Sequence, residues 1–242
     1  MTAATAGTEP EPRCWAVVPA AGAGRRMGGE LPKQYLSLGG RTVLAHTLES
    51  LFADARIQGV VVAVREGDQR FGAYSAPPGR TLLPAAGGAE RCDSVLSALQ
   101  VLSARAGPRQ WVLVHDAARP CLGRADLGAL IDTLADDPVG GLLAVPACDT
   151  MKRAAPDGTV ACTVDRAGLW HALTPQMFRL GALIEALRRA RAAGLAVTDE
   201  ASAMEAAGWR PRLVEGHSDN IKITRPGDLP LAEFHLRAQE RL

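Results

Sequence analysis

The feature that most constrains the fold is a run of apolar, mostly β-branched residues at positions 59–64, with the sequence GVVVAV. A strand without polar alternation is buried on both faces, which is typical of a parallel sheet covered by helices. Similar short apolar runs alternate along the chain with segments of helical periodicity. This order predicts a doubly wound, mainly parallel α/β sheet with binding loops at the carboxyl ends of its strands.

The same alternation predicts the remaining elements. We expect strands at residues 14–20, 81–84, 111–114, 140–145 and 210–214, and helices at 43–52, 91–104, 124–135, 180–193, 199–207 and 228–237. Between residues 146 and 174 the alternation stops, and two short strands flank the turn sequence PDGT, which predicts an inserted β-hairpin arm. Because a lone two-stranded hairpin is marginally stable, we expect the arm to pack on the same subunit or on a second one.

Composition limits the class of protein. Hydrophobic residues fill 47% of the 242 positions but aromatic residues only 4%, which favours a core of Ala, Val and Leu. We expect one domain over residues 13–242, after a polar, disordered lead of residues 1–12 without the apolar region of a signal peptide. The net charge of +1 gives no general attraction to nucleic acid or to an anionic membrane. No stretch approaches the roughly 20 apolar residues of a membrane span.

The five cysteines indicate the compartment. They are odd in number and well separated, and they contain no C-x-x-C pair, so a disulfide framework is a poor interpretation. Reduced, mostly buried thiols are typical of a cytoplasmic protein, which is the location that we expect.

The first predicted strand ends in a loop of small residues, within VVPAAGAGRRM at positions 17–27. Backbone N–H groups of such a loop can approach a ligand closely and form an anion-binding nest. The residues that we assign to this nest are Ala20, Ala21, Gly22 and Gly24. Arg26 and Lys33 add the side-chain charge that a triphosphate requires. Pro32 is expected to bias Leu31 towards an extended conformation and so to hold this stretch, with Lys33, out of helix.

The loop by itself leaves other interpretations open. Gly22-x-Gly24 after a strand is part of a dinucleotide-binding fingerprint, although Met27 stands where the third glycine belongs. A P-loop is a poor fit, since no Gly-Lys-Ser/Thr follows. An ordinary turn with two exposed arginines also remains open.

Three more segments carry candidate residues. Asp116 ends an apolar strand in VLVHDAARP, where a carboxylate can accept from a ribose hydroxyl, hold a divalent cation or cap a helix; Arg119 three residues later favours function. In GGAERCDS, Gly88 permits close approach to a base and Ser94 can bond a ribose, although the segment also suits an ordinary helix start. Lys222 in DNIKIT fits the solvent face of an edge strand as well as a functional cation.

Together these segments resemble the 2-C-methyl-D-erythritol 4-phosphate cytidylyltransferases of the non-mevalonate isoprenoid pathway. The stretches that carry the resemblance are PAAGAGRRM, PKQYL, GGAERCDSVL, WVLVHDAARPCL, DTMKR, TVDRAGLWHALTPQMF, TDEASAME and LVEGHSDNIKIT, which cover nearly everything beyond the first dozen residues. HDAARP and TPQ are quite specific. The resemblance implies a Rossmann-like nucleotidyltransferase sheet with a hairpin arm. It also implies transfer of CMP from CTP to methylerythritol phosphate, with Mg²⁺ held mainly by the CTP phosphates.

The resemblance further implies roles for individual residues. Around CTP these are Ala20, Ala21, Gly22 and Gly24 at the triphosphate, Arg26 and Lys33 at the transition-state charge, Gly88 and Ser94 at the cytosine and ribose, and Asp116 at the ribose or Mg²⁺. Around the methylerythritol phosphate they are Thr150, Arg166, Thr174, Thr198 and Lys222, with Arg119 nearby. The residues implied as catalytic are Arg26, Lys33, Arg166 and Lys222. In the family the arm crosses to a second subunit, so a homodimer is implied in which Arg166 serves the partner's site.

Two positions depart from the family's pattern. Ala89 stands where Asp is frequent, so recognition of the base would depend more on backbone groups. His217 stands where Arg is common, and we expect little consequence.

The residues suit in-line attack of the substrate's phosphate on the α-phosphorus of CTP. A phosphate monoester is already an anionic nucleophile, so no general base is required, and positioned cations overcome the repulsion between two polyanions. Three other functions stay open. They are a cytidylyltransferase for another polyol phosphate such as ribitol 5-phosphate, a regulatory nucleotide-binding module, and an NAD(P)-dependent oxidoreductase. The oxidoreductase would need a residue that binds the ribose after the second strand, for which Arg65-Glu66-Gly67-Asp68 is a weak candidate.

Overall fold

A computed structural model of the chain describes residues 12–22 and 31–242. Gly24, Arg26 and residues 1–11 of the expected N-terminal lead lie outside the described residues. Within the described ranges, every helix is too short or too polar to traverse a lipid bilayer.

The chain forms eleven strands and six α-helices in the described part. The strands are β1 (Cys14–Pro19), β2 (Ser37–Leu38), β3 (Arg41–Thr42), β4 (Ile57–Val64), β5 (Thr81–Ala86), β6 (Trp111–Val114), β7 (Gly140–Pro146), β8 (Met151–Ala154), β9 (Val160–Val164), β10 (Trp170–Arg179) and β11 (Arg212–Glu215). The helices are α1 (Val43–Phe52), α2 (Arg91–Ser103), α3 (Arg124–Leu134), α4 (Leu180–Ala192), α5 (Glu200–Ala206) and α6 (Asp228–Ala238). Every strand and helix that the sequence predicted is present, with ends shifted by a few residues at most.

Seven strands form the central sheet in the order β11-β7-β10-β6-β1-β4-β5. Neighbouring strands are parallel except for β10, which is antiparallel to both β6 and β7. The predicted doubly wound, mainly parallel α/β fold is therefore confirmed. The crossover helices leave the carboxyl ends of β1, β4, β5 and β6 side by side at one edge of the fold.

The apolar run of β4 explains why both faces of the sheet are covered. Val60, Val62 and Val64 pack with α1 and α3 on one face, whereas Val61 and Ala63 pack with α2, α4 and α5 on the other. Alternate strand residues point to opposite faces, so a strand with no polar position must have helices on both sides. A third, smaller cluster packs α6 against the segment that follows β6.

Strand β10 was not predicted. Its sequence contains Pro175, which lacks a backbone N–H, and a proline argues against a central strand. The structure accommodates it at a break in register between Ala172 and Gln176 on the β7 side. As a consequence, the predicted arm of residues 146–174 is too long at its carboxyl end, because Trp170 to Thr174 belong to the central sheet.

The hairpin of β8 and β9 is antiparallel, as predicted, and pairs Met151 with Val164 and Arg153 with Cys162. Its turn includes Gly158, whose φ of 85° lies in the left-handed region that favours glycine. Most side chains of both strands are exposed, Val160 among them at 63%. The two strands form a sheet of their own beside the central one.

Candidate active site

The carboxyl ends of β1, β4, β5 and β6 open into a cleft of about 750 Å³. This is the edge at which open parallel sheets bind their ligands. The cleft brings together eight of the predicted residues, which are Ala20, Ala21, Gly22, Lys33, Gly88, Ser94, Asp116 and Lys222. These residues come from the loops after β1, β5 and β6 and from the segment of Lys222.

The loop after β1 is anchored by a hydrogen bond from Gln34, a residue that the sequence analysis did not single out. Its buried Nε2 donates to the Ala20 carbonyl at 2.5 Å, and the Ala20 N–H donates to Ala63 at 2.8 Å. Lys33 opens a short 3₁₀ helix, Lys33–Tyr35, so the expectation that this stretch stays out of helix was wrong. Pro32 takes the position before that turn, which its fixed φ suits. The Lys33 ammonium donates to the Ile223 carbonyl at 2.9 Å, which brings it beside the segment of Lys222.

The loop after β5 packs directly on the loop after β1. A Cβ atom on Gly87 would overlap the Cβ of Ala21, so glycine is the residue that lets the two loops meet. The Gly88 N–H donates to Ser94 Oγ at 3.0 Å, and that hydroxyl donates in turn to the Glu90 carbonyl at 3.2 Å. Ser94, which is buried, therefore shapes the glycine loop at the start of α2.

A charged cluster stands at the end of β6, centred on the buried carboxylate of Asp116. Arg91 Nε lies 3.0 Å from Asp116 Oδ1, while Lys222 Nζ and Arg119 Nε lie 2.8 Å and 3.5 Å from Oδ2. Burial alone would raise the pKa of Asp116, but the charges of Arg91 and Lys222 outweigh it and hold that pKa well below its usual range. Lys222 is not on an edge strand, since residues 221–224 have no regular secondary structure.

Thr174 and His115 form a buried hydrogen-bond chain behind this cluster. The Asp116 N–H donates to Thr174 Oγ1 at 3.1 Å, Thr174 Oγ1 lies 2.9 Å from His115 Nδ1, and His115 Nε2 lies 3.1 Å from the Arg119 carbonyl. A carbonyl only accepts, so Nε2 carries the proton and Nδ1 accepts from the Thr174 hydroxyl. Burial lowers the pKa of His115 to about 4, although the bond to Arg119 opposes this, and the ring is neutral at physiological pH. The Thr174 hydroxyl thus donates to His115 and accepts from Asp116 within the protein.

The five remaining predicted residues within the described ranges lie outside the cleft lining, three of them exposed and two of them buried. Thr150 precedes β8 and Arg166 follows β9, so both lie, exposed, at the open end of the hairpin, where Arg166 Nη1 donates to the Cys148 carbonyl. Thr198 is exposed before α5, and its N–H donates to Ser202 Oγ at 3.2 Å. Arg119, like Thr174, is buried behind the cleft, and its Nη1 donates to the Asn220 carbonyl at 2.6 Å.

Sequence reasoning missed several buried polar residues that support the site. Arg91 bonds Glu200 through both of its terminal nitrogens, at 2.6 and 3.0 Å. Gln176 donates to Asp199 and accepts from the Ala201 N–H, which ties β10 to the start of α5. Local periodicity does not identify such partners. From the sequence, only their position inside the GGAER, TPQ and TDEASAME stretches could have pointed to them.

Comparison with known proteins agrees with this geometry. The family model described as IspD, 2-C-methyl-D-erythritol 4-phosphate cytidylyltransferase, matches residues 14–238. A protein of that name from Pseudomonas entomophila (strain L48) is 57% identical over 219 residues, covering 90% of this chain and 93% of its own length. One from Klebsiella pneumoniae is 54% identical over 234 residues, covering 95% and 98%.

The fold has solved counterparts as well. The crystal structure of the enzyme of the same name from Francisella tularensis superposes with a TM-score of 0.80 at 35% identity, covering 93% of this chain and all of its own. A crystal structure of a 4-diphosphocytidyl-2C-methyl-D-erythritol synthase gives 0.79 at 37% identity, covering 93% and 99%. The resemblance inferred from the motifs is confirmed, and the chain belongs to the 2-C-methyl-D-erythritol 4-phosphate cytidylyltransferases, a family of nucleotidyltransferases.

Proposed function

We propose that the protein transfers CMP from CTP to 2-C-methyl-D-erythritol 4-phosphate, giving 4-diphosphocytidyl-2-C-methyl-D-erythritol and pyrophosphate. The observation that carries this proposal is one cleft in which two small-residue loops meet the ammonium groups of Lys33 and Lys222. Close-approach loops suit a nucleoside triphosphate, and the two cations suit a reaction between polyanions. The names of the relatives favour methylerythritol phosphate over ribitol 5-phosphate as the acceptor.

The reaction needs positioning and charge but no proton transfer. An oxygen of the acceptor's phosphate forms a bond to the α-phosphorus, and the bond to the bridging oxygen of pyrophosphate breaks with its electron pair. In this proposal Lys33, together with Arg26, stabilises the charge that grows on the α-phosphate and leaving group. Lys222 draws in the acceptor's phosphate. Each such cation is expected to contribute about 10²–10³ in kcat, the scale measured for one preorganised donor.

In this proposal the loops after β1 and β5 bind the nucleotide, and residues from the carboxyl-terminal half of the chain bind the acceptor. Residues 20–22 and Gly24 would surround the triphosphate, and Gly88 with the loop that Ser94 shapes would contact the cytosine and ribose. Thr150, Arg166 and Thr198 would hold the methylerythritol phosphate. Thr174 and Arg119 would act from behind the cleft, since the hydroxyl of one and the guanidinium of the other are buried.

Magnesium fits this site as a companion of CTP. Among residues 12–22 and 31–242, no three His, Cys, Asp or Glu side chains are grouped to hold a metal ion. Both carboxylate oxygens of Asp116 are engaged by cations. Mg²⁺ in such enzymes is usually bound by substrate phosphates with one or two carboxylates, so the residues suit an ion that the triphosphate carries, with Asp116 as the nearby carboxylate. When bound, the ion neutralises phosphate charge.

We further propose that the protein acts in the cytoplasm as a homodimer assembled through the hairpin. The strands of the hairpin pair with each other, and most of their side chains are exposed. A two-stranded ribbon gains stability by packing on another surface, and a second subunit would provide one. Arg166 would then complete the partner's site rather than its own.

Tagged heterodimers test the shared site. A dimer of one Lys33→Ala subunit and one Arg166→Ala subunit, isolated through two different tags, would contain one site with both lesions and one intact site. We expect about half of the wild-type activity per dimer, since each isologous partner contributes equally. If Arg166 serves its own subunit, both sites carry a lesion and the activity stays at the level of the single variants. Absence of any heterodimer would refute the dimer itself.

Pyrophosphate release tests the reaction. Purified protein is given MgCTP with methylerythritol phosphate or ribitol 5-phosphate in turn, and Lys222→Met protein purified in the same way controls for contaminating enzymes. We expect release with methylerythritol phosphate that the variant lowers about 10²–10³-fold. Release with ribitol 5-phosphate alone would overturn the choice of acceptor. If CTP binds without release from either acceptor, a regulatory nucleotide-binding role would replace the enzymatic one.

A further inference from the structure

Glu200 is a fully buried carboxylate to which the proposed function assigns no contact with the nucleotide or the acceptor. It is the first residue of α5, but the cap of that helix is Asp199, which accepts from the Ser202 N–H. Glu200 instead binds Arg91 with two hydrogen bonds, of 2.6 and 3.0 Å. Removing a carboxylate from water is costly, and the attraction of a charged partner only offsets that cost. Stability alone therefore does not explain why the Glu200–Arg91 pair is present.

The pair continues into the cleft without a gap. Arg91 uses its remaining Nε to donate to Asp116 Oδ1 at 3.0 Å, and Lys222 Nζ lies 2.8 Å from the other oxygen, Oδ2. Along this line the side-chain exposure is 1% for Glu200, 27% for Arg91, 9% for Asp116 and 36% for Lys222, so the two ends of the line are its most buried and its most exposed members. The buried Glu200 thus connects through three successive ion pairs to the Lys222 ammonium at the cleft.

The fork of a guanidinium explains what Glu200 contributes. Arg91 turns both terminal nitrogens towards Glu200 and donates to Asp116 through Nε. Without the negative charge of Glu200, the fork is free to turn and take both oxygens of Asp116, which is the geometry that guanidinium and carboxylate groups prefer. Lys222 would then lose the oxygen that fixes its ammonium group.

We propose that Glu200 is a positioning residue for the transfer reaction: it holds Arg91 so that Asp116 keeps one oxygen for Lys222 and aims this cation at the incoming phosphate. The proposal rests on the proposed function, because it concerns the same lysine. It differs from a merely structural role, in which the Glu200–Arg91 pair only fastens α5 to α2.

A double-mutant cycle separates the two roles. Glu200→Gln, which keeps the shape and removes the charge, is made in the wild type and in Lys222→Met, and turnover of labelled MgCTP with methylerythritol phosphate is measured by product chromatography. If Glu200 acts through Lys222, Glu200→Gln lowers kcat about 10-fold to 100-fold in the wild type, the scale of a misplacement of about 1 Å. In the Lys222→Met background the same change has almost no effect, because the group that it positions is already gone.

Asp54→Asn is the matched control. Asp54 is buried and binds Arg56 through two hydrogen bonds, of 2.7 and 2.9 Å, at the amino end of β4 and away from the cleft. It should destabilise the protein without changing kcat of the folded fraction. Arg91→Lys, which keeps the charge but not the fork, gives a second cycle if Glu200→Gln fails to fold, and the same non-additivity with Lys222→Met is expected.

The outcomes are distinguishable. Equal losses of kcat in both backgrounds, or no loss in the wild-type background, would overturn the positioning role while leaving the reaction intact. Absence of turnover in the wild type itself would instead refute the proposed function, and with it the role assigned here.

Discussion

Replacing Asp116 by Asn tests whether one carboxylate holds together the charged cluster at the cleft. The change keeps the size of the side chain and removes its negative charge. The three cations that surround it then face one another with Glu200 as the remaining carboxylate of the cluster. The perturbation therefore acts on the electrostatics of a buried site while leaving its packing nearly unchanged.

The size of the expected loss in the free energy of unfolding depends on which cation loses its partner. Arg119 is most affected, because its side chain is 10% exposed and its carboxylate contact is lost, although Nη1 still donates to the Asn220 carbonyl. Breaking one side of a buried pair costs about 3–5 kcal/mol, and the contacts that remain point to the lower end. A loss of about 3 kcal/mol lowers Tm by about 6–12 °C in a domain of this size.

Thermal and urea unfolding at neutral pH measure this loss, with Asp132→Asn as the control. Asp132 also binds an arginine, Arg56, but its side chain is 68% exposed, so its replacement should cost less than about 1 kcal/mol. The cations around Asp116 depress its folded pKa. Its contribution is therefore complete above the unfolded pKa of about 4 and is lost as the pH falls below that value. Equal Tm values for Asp116→Asn and Asp132→Asn, or a gap from the wild type that does not narrow in acid, would refute the reasoning.

Three further changes have defined outcomes. Gly87→Ala should raise KM for CTP about 10-fold in steady-state assays, because the added methyl displaces the loop of Ala21 at an overpacking cost of about 1–3 kcal/mol. Thr174→Val should lower the urea-derived free energy of unfolding by about 1–3 kcal/mol through two lost hydrogen bonds, whereas Thr174→Ser keeps the hydroxyl. The bond to Asp126 raises the pKa of His217, so its stabilising effect is lost as the pH rises through that raised value. In His217→Arg, urea midpoints at pH 6 and pH 9 should differ less than in the wild type.

The sequence was informative where a pattern is local. The run in β4 predicts burial on both faces, and PDGT predicts the hairpin turn, because each depends on neighbouring residues alone. The lining of the cleft was also predictable, since parallel strands deliver their following loops to one edge. Ala20, Gly88 and Asp116 could therefore be assigned to one cleft from three separate stretches of chain.

Partners that are distant in sequence could not be predicted in this way. Arg91 and Glu200 are 109 positions apart, and the fold alone brings them together. β10 was missed because a single proline outweighs its apolar neighbours in any local assessment, although the sheet accepts it at a register break. The 3₁₀ turn at Lys33 depends on docking of Gln34 beneath Ala20, which is likewise a tertiary contact.

The cluster around Asp116 resolves a conflict that any such site must face. A reaction between two polyanions needs several cations at one edge of the sheet, yet cations held close together in a partly dry cleft repel one another before the substrates arrive. Two carboxylates against three cations leave the cluster with one net positive charge, which favours phosphates while each cation keeps a carboxylate contact. Lys222 is the most exposed of the three cations, so in the proposed reaction it would be the one that meets an incoming phosphate while Asp116 still holds it. The deeper arginines would remain paired with Asp116 and Glu200, so the geometry of the cleft would be kept when the substrate's charge arrives.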